Sequence, residues 1–373
     1  MSKIENRRLV IACGGTGGHL FPGIAVAEAW TKAGGEVLLL ISEKQIDALA
    51  SEGYDHLRFE KMPLIAMPRI ASLKMPGFVI RFFKSLVACR KLLRSFGADA
   101  VLGMGGFTST APLIAGRMLK LPTFIHESNS IPGRANVLNA KFAHTILVGF
   151  EVCAPRFGAG NRTKVVGTPL RPSVANRPER SAAESYFGLK PDGQTVMVMG
   201  GSQGARRLNE LVAAGLPEFE KAGISILHIS GPVDYETVKP AYEASPNAGV
   251  LKDFCADIQN AYAAADLAIC RSGASTLTEL AFYEIPSVLV PYPFSADDHQ
   301  ITNAEIFSKP GAAELWLQED LNEENFAGKI IELCSNSDRL EAMKEGMKRL
   351  AIPDASERVC NEVVASLQGI PAD

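Results

Sequence analysis

Two glycine turns half a chain apart constrain this sequence more than any other feature. The first is LVIACGGTGGH at Leu9–His19 and the second is VMVMGGSQGA at Val196–Ala205. Each follows a short apolar run and precedes a helical pattern, and Gly200–Gly201 lies 186 residues after Gly14–Gly15 in a chain of 373. A strand, a glycine turn and a helix make the opening unit of a doubly wound α/β domain, and its repetition predicts two such domains. Ligands of open α/β sheets sit beyond the carboxyl ends of the strands, so a nucleotide and a second substrate are expected between the domains.

The alternation continues along the chain. Apolar strands are predicted at Leu9–Cys13, Val37–Ile41, Ala100–Leu102, Pro122–His126, Thr145–Val148, Thr195–Met199, Ser225–Ile229, Leu267–Cys270 and Ser287–Val290, most of them separated by helical patterns. Pro22 is expected to open the first helix, which stops at Gly34–Gly35. A turn-rich stretch, GTPLRP at Gly167–Pro172, marks the domain junction. The last helix, about Ser356–Leu367, carries Val359, Cys360, Val363, Val364 and Leu367 on one stripe, and could pack on either domain.

Composition removes several classes of function. Hydrophobic residues make up 47% of the chain and charged residues 21%, as in a globular protein. A net charge of −3 argues against a general nucleic-acid binder. The seven cysteines are scattered and form no C-x-x-C pair, so a reducing, cytoplasmic location is expected. The apolar run before Gly14 is too short for a signal peptide, and no run approaches membrane-spanning length.

The glycine turns are neither G-x-G-x-x-G nor Walker A, so nicotinamide dinucleotides and P-loop hydrolysis lose support. A third turn, GMGGFTS at Gly103–Ser109, also follows a strand, and three such turns favour phosphate binding over plain tight turns. CRSGASTLTE at Cys270–Glu279 begins a helix whose free N–H groups can hold a diphosphate, with Glu279 placed to accept ribose hydroxyls or merely to complement the helix start. PYPFSADDHQITNA at Pro291–Ala304 is dense in groups that read sugar hydroxyls, and is also readable as a solvated loop with Asp297 or Asp298 at a helix cap. His19 closes the first glycine turn where a general base is useful, and His126 in HESN has a similar position. His56, His144 and His228 lack such a context. No pair of histidines has metal-ligand spacing, and no metal or cofactor is expected.

Between Glu60 and Asp99 no acidic residue occurs, whereas eight Lys or Arg do. Leu73, Lys74, Phe78, Arg81, Phe82, Phe83 and Lys84 form the centre of this basic, apolar segment. Such a segment can seat apolar side chains in a leaflet while its cations meet anionic headgroups, each contributing about 1 kcal/mol. A core helix with a basic outer face is the plainer alternative.

GGTGGHLFPG at 14–23, GMGGFTS at 103–109, HESN at 126–129, GTPLR at 167–171, GGSQGA at 200–205, CRSGASTLTE at 270–279 and DDHQITNA at 297–304 resemble, in that order and over nearly the whole chain, the MurG family of glycosyltransferases. The resemblance implies a GT-B fold of two Rossmann-like, doubly wound parallel-sheet domains with an interdomain cleft. It places an acceptor- and membrane-facing domain at 1–170, joined by a final helix at about 355–373, and a UDP-GlcNAc-binding domain at 171–354. The implied reaction is inverting transfer of N-acetylglucosamine from UDP-GlcNAc to the C4 hydroxyl of a lipid-linked muramoyl-pentapeptide. It would occur on the cytoplasmic face of the membrane, beside other cell-wall synthesis proteins.

By the same resemblance His19 is the base, and Gly14, Gly15, Gly105 and Gly106 meet the acceptor diphosphate. Thr16, Gly17 and Gly18 lie beside the donor, Asn129 contacts the sugar, Arg171 sits at the junction and Ser202 bonds a donor phosphate. The backbone of Cys255 meets uracil. Ala274, Ser275, Thr276, Leu277, Thr278 and Glu279 hold the diphosphate and ribose, and Gln300 reads the sugar. The chain departs from the family's habit with FCADI at Phe254–Ile258 for FIDDM, HESN for HEQN, and His299–Gln300 for a Gln-Gln pair. Competing readings are a natural-product glycosyltransferase and a UDP-GlcNAc 2-epimerase, which needs neither acceptor nor membrane patch. More distant are a dinucleotide oxidoreductase and a non-catalytic sugar-binding protein.

Overall fold

A computed structural model describes residues 4–14, 17–42, 53–62, 75–158, 162–200 and 205–369. The chain divides into two compact units, Met1–Pro172 with Ile352–Asp373, and Ser173–Ala351. Each is built on one all-parallel sheet flanked by helices, and the two sheets make the fold a GT-B pair of Rossmann-like domains.

The first sheet contains β1 (Arg8–Ala12), β2 (Glu36–Ser42), β3 (Arg58–Met62), β4 (Ala100–Gly103), β5 (Thr123–Glu127), β6 (Thr145–Val148) and β7 (Thr163–Val165). Their spatial order is β3-β2-β1-β4-β5-β6-β7. The chain winds outward from β1 to β3 and then returns to the other side of β1, so the switch point lies between β1 and β4, where Ala12 faces Gly103. The central strands are buried on both faces, which is why they are continuous apolar runs and not alternating ones.

Helix α1 (Gly17–Lys32) packs its Leu20, Ile24, Ala27 and Trp30 on this sheet. It begins five residues before Pro22, which therefore lies inside the helix and does not open it. The carbonyl that Pro22 cannot bond belongs to Gly18. Helix α2 (Met75–Phe96) covers the other face through Cys89, Leu93 and Phe96. The final helix, Ala355–Leu367, packs Val359, Cys360, Val363 and Val364 into the core beneath α1. Each such fully buried aliphatic chain contributes roughly 1.5–3 kcal/mol.

The second sheet has the order β10-β9-β8-β11-β12-β13, from β8 (Thr195–Met199), β9 (Ser225–Ile229), β10 (Gly249–Lys252), β11 (Leu267–Cys270), β12 (Ser287–Leu289) and β13 (Ala313–Leu315). Its switch point lies between β8 and β11, with Met199 opposite Cys270. The helices that serve this switch point are α3 (Arg206–Ala214), α4 (Ile258–Ala264), α5 (Ala274–Tyr283) and α6 (His299–Ser308). Below it a buried polar chain holds α3: His228 Nε2 lies 2.9 Å from Asn209 Oδ1, and Asn209 Nδ2 donates to Asp234 and to the Ser230 carbonyl. Burial pushes the His228 pKa down to about 3, so the ring stays neutral. It is a packing histidine, as expected.

Candidate functional site

In the first unit the two glycine turns meet at the switch point. Met104 N–H donates to Ala12 O at 2.9 Å, Thr108 Oγ1 to Gly14 O at 3.2 Å and Ser109 Oγ to Ala12 O at 3.1 Å. His19, the third residue of α1, lays its half-buried ring against Gly105. A Cβ on Gly105 would fall 2.7 Å from both Cδ2 and Nε2 of that ring, and the backbone there has φ +125°. Only glycine meets both conditions. Gly106, at φ +72°, offers its carbonyl to Asn139 Nδ2. The sequence thus brings His19, Gly14, Gly17, Gly18, Gly105 and Gly106 to one end of the sheet. Gly15 and Thr16 fall outside the described residues.

Asn129 is held by a partner that sequence reasoning missed. Glu127, at the end of β5 and 5% exposed, accepts from Asn129 N and Nδ2 through Oε1 (3.0 and 3.1 Å). Through Oε2 it accepts from Gly133 N and Asn136 Nδ2 (3.0 and 2.8 Å). Four donors on one carboxylate fix the loop that carries Asn129. A strand-end carboxylate followed by Asn and Gly was the signal available. Arg171 stacks its guanidinium 4.8 Å over the Phe21 ring of α1. His126 does not fit a proton-transfer role: it is fully buried, its Nε2 donates to Gly167 O at 2.8 Å, and desolvation lowers its pKa. It fastens the GTPLR turn instead.

In the second unit a cavity of about 720 Å³ opens at the switch point. Gly200 and Met199 come from the end of β8, Gly273 and Thr276 from the start of α5, and Gln300 from α6. Arg206, Arg207 and Arg271 line the cavity; Arg206 pairs with Asp234 at 3.3 Å, and Arg207 lies 3.7 Å from both Glu210 and Glu323. Helix α5 starts on Gly273 with no side-chain cap and no acidic residue in its first turn, which leaves its leading N–H groups for an anion. The second glycine turn contributes its flanks, Gly200 and Ala205. Ser202 lies outside the described residues.

The predicted donor residues differ in what they offer a ligand. Leu277 is fully buried and its N–H is already bonded to Gly273 O, so it offers a ligand nothing polar. Thr278 Oγ1 turns back to Ala274 O at 3.0 Å. Glu279 is 3% exposed and receives Tyr262 Oη from α4 at 2.6 Å. Half-buried Cys255 lies between β10 and α4, and neither it nor Glu279 lines the cavity. Ala274 is buried, and Ser275 is half-buried on the first turn of α5. Asp298 caps α6 from a left-handed backbone (φ 51°) without a side-chain bond. Sequence reasoning also missed Arg271, Tyr292, Phe294 and Gln318, all of which line the cavity.

The basic segment is only partly as expected. Phe78 is 6% exposed, and Phe82 packs inward with it and Phe107, at 6.1 and 5.8 Å between ring centroids. Phe78 is thus withdrawn from a membrane and Phe82 is half-buried, both rings packing on Phe107 of the GMGGFTS turn. The outward stripe is Val79, Ile80, Phe83 and Val87, at 42, 59, 60 and 68% exposure, with Arg81 and Lys84 beside it. Leu73 and Lys74 fall outside the described residues. Among the described residues no helix is long and apolar enough to cross a membrane.

Family models and curated relatives place the chain in one family. Residues 9–148 match the glycosyltransferase family 28 N-terminal domain and residues 195–359 its C-terminal domain. The UDP-N-acetylglucosamine–N-acetylmuramyl-(pentapeptide) pyrophosphoryl-undecaprenol N-acetylglucosamine transferases of Geobacter metallireducens and Geobacter sulfurreducens are 36% and 37% identical, each over 96% of this chain and 98% of theirs. The crystal structure of Acinetobacter baumannii MurG superposes with a TM-score of 0.73 at 25% identity, over 98% of this chain and all of that one. The chain belongs to the MurG family of N-acetylglucosamine transferases, with a glycosyltransferase family 28 domain in each half.

Proposed function

We propose that the protein transfers N-acetylglucosamine from UDP-GlcNAc to the C4 hydroxyl of undecaprenyl-diphospho-muramoyl-pentapeptide, with inversion. The observation that carries this reading is the second-unit cavity, where an uncapped helix start, three arginines and Gln300 offer binding for a diphosphate joined to a sugar. The relatives' names supply the identity of that sugar nucleotide and of its acceptor.

In this reading the donor diphosphate rests on the first turn of α5, at Ala274, Ser275 and Thr276, with Ser202 from the glycine turn. Glu279, oriented by Tyr262, serves the ribose, and the backbone at Cys255 the uracil. Gln300 takes the Tyr292 N–H on its Oε1 at 2.9 Å, which leaves its Nε2 to donate to sugar hydroxyls. Gly14, Gly15, Gly105 and Gly106 receive the acceptor diphosphate. Thr16, Gly17, Gly18, Asn129 and Arg171 complete the contacts.

His19 removes the proton from the acceptor C4 hydroxyl as its oxygen attacks the anomeric carbon. The bond from that carbon to the UDP oxygen breaks on the opposite face. The departing charge is met by the helix start and the arginines. NMR of the purified product tests the reading: a β-linked N-acetylglucosamine on the muramoyl C4 is expected. An α linkage, or conversion of UDP-GlcNAc with no acceptor present, would contradict it.

The acceptor is lipid-linked, and the outward face of α2 suits an anionic leaflet on the cytoplasmic side. Replacing Ile80 and Phe83 together with serine is expected to weaken binding to vesicles containing anionic lipid by at least tenfold, since each side chain forfeits roughly 1.5–3 kcal/mol of burial. Turnover of a soluble acceptor analogue should stay unchanged. Undiminished vesicle binding in a sedimentation assay would remove α2 as the docking face.

A further inference from the structure

We infer that Phe294 is a specificity element for the donor sugar: its ring forms the platform on which the apolar face and acetamido methyl of the hexosamine lie. This rests on the donor reading of the second-unit cavity and extends it to a residue with no role in that reading. At 81% exposure Phe294 is the most exposed large apolar side chain among the described residues, and it lines the same cavity as Gly273, Thr276 and Gln300.

The exposure is built, not incidental. Tyr292–Ser295 is a turn closed by Ser295 N–H donating to Tyr292 O at 3.1 Å, with Pro293 fixing the backbone at its second position. Phe294 stands at the third position, the tip. Tyr292 is fastened on two sides. Its N–H donates to Gln300 Oε1 at 2.9 Å, and the Arg271 guanidinium lies 5.6 Å over its ring. Arg271 in turn donates to Val290 O and Pro291 O at 3.0 Å each, and to Gln318 Oε1 at 2.7 Å. The Tyr292 and Phe294 rings meet edge to face, 5.7 Å apart at 72°. Five hydrogen bonds, a proline and a cation–π contact thus fix the turn that carries Phe294 and the Tyr292 ring beside it.

Holding an apolar ring in solvent in advance of binding is what a preorganised stacking surface requires. The chemistry of its partner follows from the neighbours. The uncapped start of α5 suits phosphate oxygens, and Gln300, which anchors the Phe294 turn, suits hydroxyls. A hexosamine presents both a hydroxyl edge and an apolar C–H face, and its acetamido methyl adds apolar surface that a plain hexose lacks. An aromatic face on the turn and an amide at the start of α6, joined by the Tyr292–Gln300 hydrogen bond, match that pair of surfaces.

The test uses the full chain and calorimetric titration with UDP-GlcNAc, UDP-glucose and UDP. Phe294→Ala is expected to raise the dissociation constant of UDP-GlcNAc about tenfold, that of UDP-glucose less, and that of UDP by no more than about twofold. Phe294→Trp should stay near wild type. Unaltered circular dichroism and melting temperature are expected, because the side chain is 81% exposed. Equal weakening of all three ligands, or weakening of none, would overturn the platform while leaving the donor reading in place. A wild-type protein that binds UDP but not UDP-GlcNAc would overturn both.

Discussion

Replacing His19 with alanine is expected to lower kcat by about 10²–10⁴-fold while the dissociation constant of UDP-GlcNAc hardly moves. The magnitude is that of losing a positioned general base. The asymmetry between kcat and donor affinity follows from that role. In the proposed reading His19, the third residue of α1, acts on the acceptor hydroxyl and is not among the residues lining the second-unit cavity, which run from Met199 to Gln318. His126 cannot substitute, since its Nε2 is spent on Gly167 O within the core. Steady-state kinetics with a soluble acceptor analogue, paired with a donor titration, measures both quantities. Near-normal turnover would remove His19 as the base.

Gly105→Ala is expected to be nearly as damaging without touching a titratable group. Two effects add at this position. The backbone conformation at φ +125° is strained for any residue with a side chain, at a cost of order 1–3 kcal/mol. The new methyl would also sit 2.7 Å from Cδ2 and Nε2 of His19, so the ring must leave its place. A displacement of about 1 Å at a reacting group costs on the order of 10²-fold in rate, and a loss of that size is expected in kcat. Gly106→Ala is the control. Its φ of +72° is also unfavourable, but the nearest His19 atoms are 3.6 Å away, an ordinary contact. That variant should lose stability with a much smaller loss of kcat. Equal kcat losses for the two would show that backbone strain, not the position of the imidazole, governs the effect.

The sequence made the strands beside each switch point legible because burial on both faces demands unbroken apolar runs. β6, β8, β9 and β11 match their expected bounds, and β1, β2, β4, β5 and β12 differ from theirs by a residue or so. The strands toward the sheet edges were not legible. β3 reads RFEKM, β10 GVLK and β13 AEL, and their polar residues reflect strands with one open side, not loops. The start of α1 was misplaced because Pro22 looks like a first-turn residue, whereas the helix already begins at Gly17 and carries the proline inside it.

At the candidate site, short motifs located the turns but not the direction of each side chain. Phe78 and Phe82 have the same composition as a membrane stripe, and only the packing of Phe107 against them shows that they face inward. Leu277 and Thr278 lie within a ligand-facing motif, yet the helical period turns one into the core and the other's hydroxyl onto its own backbone. Arg271, Tyr292 and Phe294 gain their meaning from bonds that cross from β11 to the loop after β12, a relation no local pattern encodes.

The most direct test of the central claim is UDP release by the purified protein, measured with UDP-GlcNAc alone and again with a short-chain lipid-linked muramoyl-pentapeptide analogue. The account predicts release that depends on the acceptor and rises with its concentration, with little release from the donor alone. Release at the same rate with and without acceptor, or none in either case, would contradict the assignment of this chain as the N-acetylglucosamine transferase.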